Sequence, residues 1–154
     1  MTQDQKEQFK KFGCVSRSLI ILADRKQRPF ASWDDYCLKF GHLFPEGHYG
    51  AIFTSQIVEV TRAQKLASCF ESFRRYAEIQ DAHAKGRGVL IISEIDLNQG
   101  QTGIIRHCSV LENIDAASFT LIVPSQAGND HVMPFTVADW DAKLCHGLVF
   151  YDDG

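Results

Sequence analysis

The chain has 154 residues, the length of one folded domain. Hydrophobic residues make up 45% of it and charged residues 23%, which excludes an intrinsically disordered chain. The formal net charge of −3 argues against nucleic-acid binding as the main function, since such proteins usually carry a basic face. No apolar run approaches the ~20 residues of a membrane span, so no membrane insertion is expected. We therefore interpret residues 1–154 as a single domain.

Cysteine usage and the N-terminal segment bear on the compartment. An odd number of cysteines, widely spaced and without a C-x-x-C pair, excludes a zinc ribbon and disfavours a disulfide framework. The first eight residues are polar apart from Met1 and contain no hydrophobic signal segment. We expect a cytoplasmic protein, or an effector exported without a cleaved signal peptide. The cysteines are Cys14, Cys37, Cys69, Cys108 and Cys145.

The first half of the chain is dominated by helical spacing. Apolar residues at positions 15, 19, 22 and 23 predict a helix that begins near Cys14, directly after Gly13. Ser32 is a good N-cap, and the two acidic residues that follow suit a first helical turn, so a second helix is predicted from there to Gly41. The segment Gly41–Thr54 predicts a loop. A short helix is then expected over 57–66 and a longer one over 68–86.

After Gly86 the pattern changes to short, strand-like apolar segments. Helices that precede antiparallel strands indicate an α+β domain, with the N-terminal helices packed on a C-terminal antiparallel sheet. In chain order the predicted elements are a strand at 89–93, a turn at 100–103, strands at 104–114 and 119–123, a short helix at 139–144 and a strand at 147–151.

Two residues far apart in the chain are candidates for catalysis. Cys14 at the start of a helix lies at the positive end of the helix dipole, which favours the thiolate. His107 at the start of a strand is a candidate general base. Taken singly, each is as compatible with a structural role, as a small buried thiol or a satisfied turn histidine. Together they match the pair that a cysteine nucleophile requires.

Gln8 is the third candidate. Its side-chain amide precedes Cys14 by six residues and is a possible hydrogen-bond donor to an oxyanion. The alternative is a solvated residue in a frayed N-terminus.

No metal or cofactor site is expected. His42, Glu46 and His48 share the 41–54 loop, but their spacing matches no standard zinc site. Neighbouring cysteine and histidine residues at 107–108 and 145–146 would point to opposite faces of a strand. The basic residues between 74 and 106 suit an ordinary solvated surface.

These motifs, taken in order, resemble the papain-like cysteine peptidases of the compact bacterial kind, most closely the bacteriocin leader-peptidase domains. The resemblance rests on Gln8, on Gly13-Cys14 opening a helix, on the strand Gly88–Ser93 and on the segment His107–Asp115. The closing helix and strand at 139–150 follow the family pattern too, so nearly the whole chain is covered. The resemblance implies a papain-like fold and a hydrolase that needs no cofactor.

The resemblance implies cleavage or transfer of a peptide or amide bond through an acyl-enzyme on Cys14, with His107 as base and Gln8 at the oxyanion. A peptide or protein is the expected substrate; peptidase, deamidase, amidase and acyl transferase remain open. One position departs from the family: Val123, before Pro124, stands where an Asp or Asn is usual. This departure favours the alternative of a catalytically inactive domain that binds a peptide or protein. An α+β interaction domain unrelated to the family is the weaker third interpretation.

Overall fold

The structure is a computed structural model that describes residues 1–95 and 105–152. Within these residues it contains six α-helices and one six-stranded antiparallel sheet, which confirms the predicted α+β class. The helices are α1 (Gln3–Phe12), α2 (Cys14–Arg25), α3 (Trp33–Phe40), α4 (Ile57–Ala63), α5 (Tyr76–Ala84) and α6 (Val137–Ala142). The strands are β1 (Cys69–Phe73), β2 (Val89–Ile95), β3 (Ile105–Ile114), β4 (Ser118–Pro124), β5 (Asp130–Thr136) and β6 (His146–Tyr151), in the sheet order β1-β6-β2-β3-β4-β5.

Two of the predicted helices begin where their sequence signals place them. Helix α2 starts at Cys14, and Gly13 both caps the end of α1 and precedes α2. Helix α3 follows Ser32, whose hydroxyl accepts a hydrogen bond from the Asp35 N–H at 3.1 Å. Loop 41–54 contains only a short 3-10 turn and connects α3 to α4.

Both faces of the sheet are covered, and each face has its own apolar cluster. Helices α1 to α4 pack on what we call the first face, where Leu90, Cys108, Val110 and Ile122 are buried. Helices α5 and α6 contribute to the cluster on the opposite, second face. Burial on both sides explains why β2 opens with an uninterrupted apolar run instead of an alternating pattern.

Three expectations from the sequence need correction. The helix predicted over 68–86 is wrong in its first part, because residues 69–73 form β1, which pairs with β6 and packs Phe70 against Phe150 at 5.7 Å between ring centroids. Helix α1 forms where we considered a frayed terminus, because Thr2 and Gln5 form a capping box. Strand β5 was not predicted, since six of its seven residues are exposed. The predicted turn at 100–103 lies outside the described residues.

No helix in the described part of the chain is long and apolar enough to cross a membrane. The longest is α2, with 12 residues.

The junction between α1 and α2 fixes where Cys14 lies. A substitution at Gly13 tests how tightly this junction is packed. A Cβ atom at position 13 would lie 2.4 Å from the Phe9 carbonyl oxygen, a main-chain atom that cannot rotate away. We expect Gly13→Ala to lower the free energy of unfolding in urea by about 1–3 kcal/mol. The matched control is Gly41→Ala, where a Cβ atom meets nothing within 4 Å and the expected change is within about 0.5 kcal/mol. Equal losses in both variants would contradict a tight junction.

Candidate active site

Helix α2 carries three consecutive buried polar residues, and each one joins it to a different part of the fold. The Ser16 hydroxyl donates to the Gly50 carbonyl and accepts from the Tyr36 hydroxyl at 2.9 Å. The Ser18 hydroxyl donates to the Cys108 carbonyl on β3 at 3.0 Å. Because buried polar groups are costly unless paired, these bonds fix the position and rotation of the helix. Cys14, its first residue, is positioned by the same bonds.

Arg17 lies between these two serines and is only 2% exposed. Its guanidinium donates to the Ser125 carbonyl, to the Asn129 carbonyl at 3.1 Å and to the Asp130 carboxylate at 3.1 Å. It also lies over the Trp33 ring, 5.2 Å from the centroid. Arg17 therefore fastens the β4–β5 turn to α2, and it places a positive charge one helical turn from Cys14.

The Cys14 thiol is partly buried at the beginning of α2. Burial raises the pKa of this thiol, and contacts with the backbone of Cys108, the backbone N–H groups of Cys14 and Val15 and the charge of Arg17 oppose that rise only in part. The direction is opposite to the one that the helix dipole alone suggests, because desolvation outweighs the N-terminal dipole. The resting side chain is thus a neutral thiol.

His107 is 4% exposed and lies near the start of β3. Its Nδ1 is 2.9 Å from the Cys108 carbonyl oxygen. A carbonyl only accepts, so Nδ1 is the donor in this contact, and the Pro124 carbonyl is a second acceptor next to the ring. Burial lowers the pKa of the His107 imidazole, the Arg17 charge lowers it further, and carbonyl contacts with Cys108 and Pro124 oppose this.

The structure brings Cys14 and His107 to the same main-chain unit, although 92 residues separate them in the sequence. The backbone of Cys108 contacts both the Cys14 thiol and the His107 ring. Because side chains alternate along a strand, His107 leaves β3 on the side opposite to Cys108, whose side chain belongs to the first-face cluster. Cys14 packs against that same first-face cluster, so the two side chains approach the Cys108 backbone from opposite faces of the sheet. Thiol and imidazole are not hydrogen-bonded to each other.

Pro124 explains why the Cys108 backbone is available. The described pairing of β3 with β4 begins at Val110 and Ile122. Two residues further along each strand, Cys108 would face Pro124, which has no N–H to donate. The Cys108 carbonyl is therefore left to the Ser18 hydroxyl and the His107 ring.

Gln8 joins α1 to the loop that follows α3. Its Oε1 accepts from the Tyr49 N–H at 2.9 Å, and its Nε2 donates to the Asp4 carboxylate at 2.8 Å. The amide carries a second Nε2 proton, for which the described residues provide no partner. Gln8 is thus held at the α1–α2 junction, but the structure gives it no hydrogen bond with Cys14.

Among the described residues, no side chain is hydrogen-bonded to His107 in place of the missing acidic group. Val123 is buried in the second-face cluster. Of the polar residues that follow Pro124, Asp130 binds the Arg17 guanidinium through its carboxylate, whereas Ser125 and Asn129 bind it through their main-chain carbonyls. The Ser125 hydroxyl is buried and has no hydrogen-bond partner among the described residues.

Within residues 1–95 and 105–152, no group of three or more His, Cys, Asp or Glu side chains could hold a metal ion. In the 41–54 loop, the His42 Nε2 lies 3.1 Å from the Glu59 carboxylate, and the His48 ring packs against the Phe12 ring at 4.5 Å between centroids, tilted by 49°.

Comparison of the chain with protein-family models, with curated proteins and with solved structures finds no match. The functional interpretation therefore depends on the residues and geometry described above.

The link between α2 and the β4–β5 turn can be tested at Asp130. We expect Asp130→Asn to lower the free energy of unfolding by about 1–2 kcal/mol, because it removes the counter-charge of a buried guanidinium. The Asp130 side chain is itself 45% exposed, which limits the loss.

The matched control for this variant is Asp81→Asn. It breaks the exposed Lys85–Asp81 pair at 2.9 Å and should cost only about 0.3–0.5 kcal/mol in the same urea titration. A loss at Asp130 no larger than the loss at Asp81 would show that Arg17 does not depend on its carboxylate.

Proposed function

We propose that the chain is a papain-like cysteine hydrolase that cleaves or transfers a peptide or amide bond, with Cys14 as nucleophile and His107 as general base. The observation that carries this proposal is that both side chains contact the backbone of Cys108, the thiol from the first face of the sheet and the imidazole from the second. A helix that begins with the nucleophile and packs across the strand that carries the base supports the papain-like assignment.

In this proposal a backbone carbonyl replaces the carboxylate or amide that orients the histidine in a triad. The Cys108 carbonyl accepts from Nδ1 and so selects the tautomer in which Nε2 is the basic nitrogen. A carbonyl carries no full charge, so it stabilises the imidazolium less than a carboxylate does. We therefore expect a dyad of modest rate rather than a fully equipped triad.

The chemical step starts from a neutral thiol and a neutral imidazole. Nε2 takes the Sγ proton as Sγ attacks the carbonyl carbon, which forms a tetrahedral oxyanion and an imidazolium. Collapse breaks the C–N bond, the imidazolium protonates the departing amine, and a thioester on Cys14 remains. Water then attacks the thioester with Nε2 as base, and the acid is released with the thiol restored.

Catalysis on this route needs the thiol to come within hydrogen-bond distance of Nε2. Catalytic hydrogen bonds are often loose before substrate binds, and this one would have to form beside Cys108, where the described pairing of β3 with β4 has ended. The N–H groups of Cys14 and Val15 at the start of α2 are available to an oxyanion, as helix N-terminal amides are. The second Nε2 proton of Gln8 is the further candidate donor.

Residues 41–54 are the candidate rim for a peptide or protein substrate. Tyr49 binds Gln8 through its N–H, and Gly50 binds Ser16 through its carbonyl, so this loop is attached directly to the α1–α2 junction. Loops of this kind on a rigid scaffold often determine specificity.

A binding module without catalysis is the second candidate. It is favoured by Val123, which leaves His107 without an acidic partner, and by the absence of a hydrogen bond between the described Cys14 and His107 side chains. Under this alternative the same rim would bind a peptide or protein, and Cys14 would be a buried structural thiol.

The two candidates differ in whether His107 drives acylation of Cys14. We expect p-nitrophenyl acetate, a small acyl donor, to acetylate Cys14 at pH 7, as read by peptide mass spectrometry. His107→Gln should lower this rate about 10²- to 10⁴-fold, the usual contribution of a general base. The pKa of Cys14 is raised, so without its base the thiol should react slowly.

The control is Cys69→Ser, which removes an exposed free thiol and should leave acetylation of Cys14 unchanged. Each variant is checked for an unaltered urea transition, so that a lost rate is not lost folding. Equal acetylation of Cys14 with and without His107, or none at all, would reject the hydrolase and leave the binding module.

A further inference from the structure

A cavity lined by described residues lies away from Cys14, around the C-terminal end of α2. Its volume is about 520 Å³. Four basic residues line it, together with Ser68 and a single carboxylate, Asp152; the basic residues are Lys26, Arg28, Arg62 and Lys65.

Two helices that end side by side bring these charges together. The chain leaves α2 through Gln27 and α4 through Lys65, and both residues have left-handed backbone angles, with φ of 59° and 56°. The Gln64 amide then donates to the Arg28 carbonyl at 2.8 Å and holds the two helix ends together. Strand β1 begins next to them, where the Ser68 N–H donates to the Tyr151 carbonyl at 2.9 Å.

The local charge contrasts with that of the whole chain. Four cations and one carboxylate give this cavity a formal charge of +3, against −3 for the entire sequence. Lys26 reaches Asp152 only at 3.8 Å. Among the described residues, no carboxylate lies within ion-pair distance of Arg28, Arg62 or Lys65.

The helix dipoles do not account for this cluster. A helix C-terminus favours cations in its last turn, which explains Arg62 and, in part, Lys26. Arg28 and Lys65 lie beyond the ends of α2 and α4, where the effect has faded. Arg62 uses its Nε to bind the Ser68 carbonyl at 2.7 Å, which leaves its two NH₂ groups for another acceptor.

We propose that this cavity binds a small phosphorylated anion that carries two adjacent phosphoryl groups. Guanidinium groups suit phosphoryl oxygens because they donate in pairs, and lysine adds point charge. A volume of about 520 Å³ is within the usual range for ligand pockets and exceeds the need of a single phosphate. The site is independent of Cys14 and His107.

The test is calorimetric titration of the full chain with inorganic pyrophosphate at 0.15 M salt. We expect saturable binding that Lys65→Gln and Arg28→Gln each weaken about five- to tenfold, as loss of one nearby charge predicts. Asp152→Asn, which removes the one carboxylate that the described residues contribute to the cavity, should tighten binding by about fivefold. General charge attraction would give the same two directions, so a charge change far from the cavity is the control that distinguishes the site.

Lys6→Gln is the matched control, since it removes one positive charge from an exposed position on α1. It should leave the affinity for pyrophosphate unchanged. No binding up to millimolar pyrophosphate, equal weakening by Lys6→Gln, or no tightening by Asp152→Asn would each overturn the proposal. The two phosphoryl groups could belong to a nucleotide or to a free anion, and titration with ADP distinguishes these ligands. Tighter binding of ADP than of pyrophosphate indicates a nucleotide, and equal or weaker binding indicates the free anion.

Discussion

The position of α2 on the sheet is the constraint on which the rest of the structure depends. Ser16, Arg17 and Ser18 are consecutive, so around a helix they point in three directions about 100° apart. Each is buried, and each makes its bonds to a different segment: the loop at Gly50, the β4–β5 turn, and the middle of the sheet at Cys108. An apolar helix could slide or rotate on the sheet at little cost in free energy. The same movement of α2 would leave several buried polar groups without hydrogen-bond partners.

That constraint also determines what the candidate site contains. Cys14 lies two residues before the buried triplet, so the bonds that fix the helix also fix the thiol against the Cys108 backbone. Pro124 has no N–H to pair with the Cys108 carbonyl, which is therefore free to orient His107. The carboxylate that the resemblance led us to expect would lie one residue earlier in the same strand, at Val123. The same burial that makes the site precise keeps both reacting groups neutral, since desolvation acts against charge on either one.

The sequence predicted those helices and strands whose formation depends on neighbouring residues, such as helix caps and apolar runs. Gly13 and Ser32 marked helix starts correctly, and the apolar run of β2 marked a strand. The segment 69–73 failed because Phe70 and Phe73 have helical spacing, while the decisive interaction is pairing with β6, some 80 residues later. Strand β5 gave no apolar pattern because it is an exposed edge strand.

The candidate site was predictable only in its residue types. Spacing and order pointed to Gln8, Cys14 and His107, but whether the three side chains converge depends on how α2 crosses β3. The role of Arg17 had no signal in the sequence, since a lone arginine in a helix is usually solvated. The role of the Cys108 carbonyl could not be predicted either, because every residue type has a main-chain carbonyl.

The most direct test of the account is an NMR titration of the His107 imidazole in the ¹³C-labelled protein, assigned with His107→Gln. The account predicts a pKa below the usual value of about 6.5, because the ring is buried beside Arg17. It also predicts that Cys14→Ala shifts the His107 resonances and their titration, since both side chains contact the same backbone unit. An ordinary pKa would contradict the burial of His107 beside Arg17. A titration that Cys14→Ala leaves unchanged would contradict the claim that both side chains contact the Cys108 backbone.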